Sequence, residues 1–195
     1  MDILFINPGA SKLIYQKLSN NYSAIEPPTW ALLLAQSCRS VGFKVSIIDV
    51  NAEKLDLEEV LNRVKKYNPR LICFVVYGQN VNAGTTNMSG AVYLSNFLKK
   101  SNVSSPITFI GSHVQALPVE TLKKEKSIDA VFTNEGVYAL RNFLTLKSFT
   151  PENLSKIKGI AYRDGNKINF NLPEKLVPQE RMDIDLPGYA WDLLP

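Results

Sequence analysis

The sequence predicts an α/β domain built on a parallel sheet with helices on both faces, and three observations carry that reading. Short apolar runs rich in Ile, Val and Phe recur at 2–7, 44–49, 71–77, 106–110 and 128–132 without strict alternation, as strands covered on both faces require. Stripes of helical period lie between them. The alternation of strand and helix, repeated five times, is the pattern of a doubly wound sheet.

Each element has its own signal. The first run, Asp2 to Asn7, stops at Pro8-Gly9, a strand passing into a loop. Pro27-Pro28 suits an extended entry to a helix whose stripe is Trp30, Leu33, Leu34, Ser37 and Val41, and Gly42 suits its exit. Leu57, Val60, Leu61 and Val64 stand at i, i+3, i+4 and i+7, one face of an amphipathic helix. Ala91, Leu94, Ser95 and Leu98 mark a third helix, 118–126 a short fourth, and Val137, Leu140, Arg141 and Leu144 a fifth. From Gly159 the pattern changes. Ile160 to Arg163 and Lys167 to Phe170 flank Asp164-Gly165-Asn166, which predicts a β-hairpin. Residues 171–195 carry prolines at 173, 178, 187 and 195 and no sustained period, so they read as a segment extended over the surface or as a linker.

With 195 residues, 45% apolar and 21% charged, the chain has the composition of one soluble globular domain. Its net charge of +4 falls in residues 1–100, with 11 basic against 7 acidic side chains, and lacks the concentration of a nucleic-acid footprint. No apolar run reaches the roughly 18 residues of a membrane span, and the start is a short acidic strand rather than a basic leader, so a cytoplasmic protein is expected. Cys38 and Cys73 lie in apolar segments and read as small buried hydrophobes. Two such cysteines exclude a disulfide framework and a cysteine-rich metal site.

A ligand on such a sheet sits beyond the carboxyl ends of the strands, where the strand order reverses. The loops there are 7–13, 49–52, 77–88, 111–118 and 133–136. The first, Asn-Pro-Gly-Ala-Ser-Lys, holds neither G-x-G-x-x-G nor G-x-x-x-x-G-K-[ST], which argues against dinucleotides and nucleoside triphosphates. A phosphoacceptor receiver would need a carboxylate where Tyr77 stands. The stretch from Tyr77 to Met88 is long for a connection of this kind. Either its amides and two glycines let backbone approach a large planar ligand, or its Asn and Gly serve the turns of a solvated loop. Gly111 permits a tight turn before Ser112-His113-Val114, and His113, the sole histidine, reads as a hydrogen-bonding loop residue rather than a metal ligand. Glu135, between Asn134 and Gly136, either caps the following helix or touches a ligand.

Taken together, Ala24 to Ala31, Val76 to Asn80 with Thr86 to Met88, Gly111 to Val114 with Ala116 to Pro118, Asn134 to Gly136, and Asp185 to Pro187 with Ala190 to Pro195 resemble the N-terminal cobalamin-binding domain of cobalamin-dependent radical SAM enzymes. The resemblance spans essentially the whole chain and rests on the order and spacing of motifs that are individually weak. It implies a Rossmann-like, flavodoxin-like five-stranded parallel sheet followed by a C-terminal hairpin and extended linker. The division would be a cobalamin-binding unit at 1–147 and a hairpin and linker at 148–195. It implies a cofactor site at Asn7 and Pro8, Glu26 and Pro27, Tyr77, Gly78, Gln79 and Asn80, Gly84 and Thr86, Gly111, Ser112, His113 and Val114, and Asn134, Glu135 and Gly136.

The resemblance further implies cobalamin with its nucleotide tail displaced and no protein ligand below cobalt, since Asn7-Pro8-Gly9 stands where another cobalamin family carries DxHxxG. S-adenosylmethionine and a [4Fe-4S] cluster belong to a following barrel with a CxxxCxxC motif, which two cysteines 35 positions apart cannot supply. The expectation is a fragment of a longer enzyme, with methyl transfer as its default chemistry and the barrel as its partner in cis or in trans. A carrier or interaction domain of the same fold without catalysis, and a flavin mononucleotide binder, remain the alternatives.

Overall fold

The computed structural model describes residues 1–9, 25–78 and 81–195. In chain order the elements are β1 (Ile3–Asn7), α1 (Thr29–Ser40), β2 (Val45–Asp49), α2 (Leu57–Tyr67), β3 (Leu71–Val75), α3 (Val81–Lys100), β4 (Ile107–Ile110), α4 (Ser112–Ala116), α5 (Pro118–Lys124), β5 (Ala130–Phe132), α6 (Val137–Thr145), α7 (Pro151–Leu154), β6 (Ile160–Asp164), β7 (Lys167–Phe170) and α8 (Met182–Asp185). One sheet holds all these strands in the order β2-β1-β3-β4-β5-β6-β7. The first five run parallel, and β6 and β7 add antiparallel.

The apolar runs make the core because both sheet faces are covered. On β1, Ile3 and Phe5 join one cluster, with Leu32, Leu34, Leu140 and Phe143 of α1 and α6. Leu4 and Ile6 join the other, with Val60, Val64, Leu94 and Leu98 of α2 and α3. Alternate side chains of a strand point to opposite faces, so a strand sandwiched between helix layers reads as an unbroken apolar run. Each such side chain, fully buried, stabilises the fold by about 1.5–3 kcal/mol. Helix α2 shows how local and tertiary signals agree. Asp56 accepts from the Glu59 N–H at 2.9 Å, and the Glu59 carboxylate accepts from the Asp56 N–H at 2.8 Å, a closed capping box. The stripe Val60, Leu61 and Val64 is buried, and Asn68 ends the helix in a left-handed conformation.

The five parallel strands follow the expected pattern, and three expectations change. The hairpin is not an appendage: Ile160 of β6 pairs with Phe132 of β5 and Tyr162 with Ala130, so the sheet has seven strands. This pairing covers the β5 edge, which would otherwise present unpaired N–H and C=O groups. The stretch 77–88 is not one long loop. Helix α3 begins at Val81, and Gly84, Met88, Ala91, Ser95 and Leu98 form one buried stripe at spacings of four and three. Its Gly, Thr and Asn residues have poor helix propensity, and packing of the stripe overrides that preference. Likewise 111–118 contains the short helix α4, with the Gln115 N–H donating to the Gly111 carbonyl at 3.0 Å.

Residues 171–195 run over the α1 and α6 face as a strap. Asp185, 3% exposed, accepts from the Tyr138 hydroxyl at 2.6 Å, Arg141 Nη1 at 2.8 Å and Arg181 Nε at 2.7 Å. Arg39 of α1 holds Asp192 through two parallel hydrogen bonds of 2.6 and 2.8 Å. No helix among the described residues is long and apolar enough to cross a membrane.

Candidate functional site

The strand order 2-1-3-4-5 reverses direction at β1, which has β2 on one side and β3 on the other. In an open α/β sheet this places the ligand crevice beyond the carboxyl ends of β1 and β3. Asn7 closes β1 there, and its side-chain amide donates to Asp49 Oδ1 of β2 at 3.0 Å. Asp49 Oδ1 also accepts from the Ala52 N–H at 3.0 Å. Asp49 is buried and holds the loop after β2 in place. Pro8 is buried behind Asn7, while Glu26 and Pro27 are exposed ahead of α1.

At the end of β3 the half-buried Tyr77 is the centre of a connected group. Its ring lies 5.6 Å from that of Trp30, tilted by 59°, and its carbonyl accepts from Asn87 Nδ2 of α3 at 3.1 Å. Gln115 Nε2 donates to the Tyr77 hydroxyl at 2.5 Å and to the Asn134 carbonyl at 2.6 Å. Trp30 Nε1 donates to the Glu135 carbonyl at 3.2 Å. Burial pushes the Tyr77 phenol above its ordinary range, against a smaller opposing effect of the Gln115 bond, so it stays protonated at neutral pH.

Glycines set the distances between these elements. A Cβ on Gly111 would stand 2.1 Å from the Val76 carbonyl oxygen, so only glycine lets β4 turn into α4 this close to the end of β3. Gly136, at φ 81°, begins α6, and a Cβ there would meet Ile110 Cδ1 at 2.3 Å.

The residues predicted from sequence therefore divide into groups. Tyr77 and Asn134 share Gln115, and Glu135 shares Trp30 with Tyr77. Gly84 does not lie in a loop but in α3, under Ser112 Oγ, where a Cβ would stand 2.3 Å away. Thr86 is exposed on α3, Gly78 is exposed at the sheet edge, and His113 is half-buried on α4. Val114 is fully buried among Val76, Met88 and Leu122, so it packs the core rather than facing the crevice. Gln79, Asn80, Ala24 and the first loop beyond Gly9 lie outside the described residues. The side chains of Asn134 and Glu135 face the strap: Asn134 Nδ2 donates to the Glu174 carbonyl at 3.0 Å, and Glu135 Oε1 accepts from the Val177 N–H at 2.5 Å. Sequence reading missed Gln115 and the site role of Trp30. No local pattern marks a glutamine whose partners come from two other loops.

The B12 binding domain family matches residues 16–144. The chain belongs to the B12-binding domain family. A curated relative, an uncharacterized methyltransferase of Pyrococcus horikoshii, is 28% identical over all 195 residues, and the chain spans 39% of that relative's length. Two solved structures share the fold of this B12-binding domain. One is the radical S-adenosylmethionine methyltransferase TsrM from Kitasatospora setae, with tryptophan substrate and a SAM analogue bound (TM-score 0.62, 16% identity, 88% of this chain and 30% of that one). The other is the cobalamin-dependent S-adenosylmethionine radical enzyme OxsB (TM-score 0.64, 17% identity, 98% of this chain and 24% of that one).

Cobalamin is the cofactor of this family, and the residues at the crevice fit it. The polar groups there are neutral amides, a phenol and a hydroxyl, suited to the amide-bearing rim of a corrin. The Ser112 hydroxyl is buried with no hydrogen-bond partner, a polar atom at the mouth of β4 that a bound ligand can satisfy. The nearby carboxylates of Asp49 and Glu135 are engaged by protein N–H groups. Among the described residues no group of three or more His, Cys, Asp or Glu is placed to hold a bare metal ion. Cys38 and Cys73 are buried, and burial pushes the Cys73 thiol up to about 12 and Cys38 higher still. Neither is a thiolate at neutral pH.

Proposed function

We propose that this B12-binding domain holds cobalamin, base-off and without a histidine below cobalt, as the cofactor module of a radical SAM methyltransferase or related radical enzyme. The observation that carries the reading is the β1/β3 crevice of a B12-binding fold, lined by neutral polar groups around Tyr77 and Gln115. Asn7-Pro8-Gly9 after β1 supports the absence of a histidine ligand, and the sole histidine follows β4 instead. The methyltransferase relative supports the reaction class. When bound, cobalamin supplies methyl-transfer chemistry, and this chain supplies position and environment.

Tyr77, Gly78, Ser112 and His113 form the rim that holds the corrin, and Gln79 and Asn80 are assigned to the same site from the sequence alone. Asn7 and Pro8 close its β1 side, with Glu26 and Pro27 ahead of α1, while Gly84, Thr86, Gly111 and Asn134 to Gly136 fix the elements around it. Residues 1–147 carry the cofactor, and 148–195 form the hairpin and linker toward a radical SAM barrel, in cis or in trans, that brings S-adenosylmethionine and the [4Fe-4S] cluster. The strap supports a docking role. Of the eleven large apolar side chains exposed among the described residues, seven fall in 170–191, among them Leu172, Leu176, Ile184 and Trp191, and concentrated apolar exposure marks a contact surface. A cytoplasmic setting belongs to the same reading.

Mixing the purified chain with hydroxocobalamin, desalting and recording the visible spectrum tests the proposal. We expect one corrin retained per chain. Loss of all corrin at tens of micromolar from protein with a folded circular dichroism spectrum would refute it, and a flavin spectrum after the same treatment with flavin mononucleotide would replace it.

A further inference from the structure

We propose that strap residues 174–177 position the cofactor site through the loop from Thr133 to Gly136. The inference rests on the cobalamin reading for the identity of the ligand and on geometry for the connection. The loop is bonded on two sides. Its backbone carbonyls at Asn134 and Glu135 accept from Gln115 and Trp30, which pack around Tyr77 at the crevice. Its side chains at the same two positions hold the strap, Asn134 to the Glu174 carbonyl and Glu135 to the Val177 N–H. One pair of residues thus joins the crevice to a segment about forty positions away in sequence.

The loop has little freedom to absorb a displacement of the strap. Asn134 Oδ1 accepts from the Gly136 N–H at 2.9 Å, the Thr133 N–H donates to the Gly159 carbonyl at 2.9 Å, and Gly136 sits against Ile110. On the crevice side, Gln115 uses both hydrogens of its amide on Tyr77 and Asn134, which leaves the Tyr77 hydroxyl hydrogen and the Gln115 Oε1 lone pairs available to a ligand. Moving the Asn134 carbonyl therefore re-aims the Gln115 acceptor and the Tyr77 donor that a corrin amide would meet. Coupling of this kind is reciprocal. Cofactor binding should steady the strap as strongly as strap docking favours the cofactor, which gives the linker toward a barrel a means of sensing whether the cofactor is loaded.

The experiment uses the full chain and three variants. Val177→Pro removes the strap N–H without touching the loop, Glu135→Ala removes its acceptor, and Glu135→Gln keeps a neutral acceptor in place. Without ligand, hydrogen exchange of amides in 112–117 and 133–136 should be faster in Val177→Pro and Glu135→Ala than in the wild-type chain, and close to wild type in Glu135→Gln. With hydroxocobalamin, affinity should fall about tenfold in the first two variants, within the usual span of coupling between sites, and recover in the third. Wild-type exchange at 112–117 in both Val177→Pro and Glu135→Ala overturns the connection whatever the ligand, as does unchanged corrin affinity in both. A wild-type chain that binds no corrin overturns the cofactor reading alone, because the exchange comparison without ligand still decides the connection.

Discussion

Tyr138 of α6 donates its phenolic hydrogen to Asp185 at 2.6 Å, across 47 residues of sequence, and the carboxylate so held is the anchor of the strap. Arg181 and Tyr138 together hold the Asp185 carboxyl well below the usual carboxylate range, with a further contribution from Arg141.

A group with a depressed folded-state pKa stabilises the fold fully above its unfolded value of about 3.9, and loses that contribution as pH falls through the folded value. Asp185→Asn should therefore cost about 3 kcal/mol at pH 7 by leaving Arg141 without its buried partner. The gap between wild type and variant should stay level from pH 8 to pH 5 and narrow steadily below pH 4. Urea unfolding at pH 7, 5 and 3 measures it, and a gap that widens toward acid would contradict the assignment.

Gly111 and Gly165 give a contrast within one chain. The nearest atoms to a Cβ on Gly111 are the backbone of Val76, whereas a Cβ on Gly165 meets nothing within 4 Å. Gly111→Ala should lose about 1–3 kcal/mol, in the range of an overpacked core, and weaken corrin binding. Gly165→Asn, at a φ of 56° that asparagine tolerates, should stay within about 0.5 kcal/mol of wild type. Thermal unfolding of the two variants side by side is sufficient.

The placement of Gly84 within α3 changes what its substitution means. A single methyl meets only the Ser112 hydroxyl closely, which can rotate, with the next atoms at 3.5 and 3.7 Å. Gly84→Ala should be neutral or stabilising by up to about 1 kcal/mol through helix propensity. Gly84→Val adds two further carbons between α3 and α4 and should lower stability by about 1–3 kcal/mol together with corrin affinity. A valine variant of full stability that has lost the corrin would show instead that the backbone at Gly84 meets the ligand directly.

His113 decides the class of cobalamin site. With no nitrogen below cobalt, the cobalt(II) form bound to this chain should show electron paramagnetic resonance lines without nitrogen triplet splitting, and His113→Ala should leave the spectrum unchanged. Triplets that vanish in His113→Ala would make this residue the axial ligand and withdraw the base-off reading.

The sequence by itself determined the five parallel strands, the helix faces and the kind of protein. The runs through Ile3 to Ile6 and Leu71 to Val75 are apolar because strands between two helix layers bury both faces, and the stripe Val60, Leu61 and Val64 with its Asp56 cap is a local device legible without the fold. The motifs that mark a B12-binding domain are also linear. Tertiary structure alone decided the rest. Gly84 and Asn87 read as loop residues because propensity is local, while the contact of α3 with Ser112 and the Tyr77 carbonyl that makes them helical is not. Gln115 carries no signal in its own segment, since its two acceptors arrive from the ends of β3 and β5. The strap reads from sequence as a segment extended over the surface or as a linker, and its anchors stay hidden because Val177 on Glu135 and Asp185 on Arg141 join positions more than forty residues apart. A hydrogen bond between distant residues leaves no period or composition in either segment, only a pair of ordinary polar residues that folding brings together.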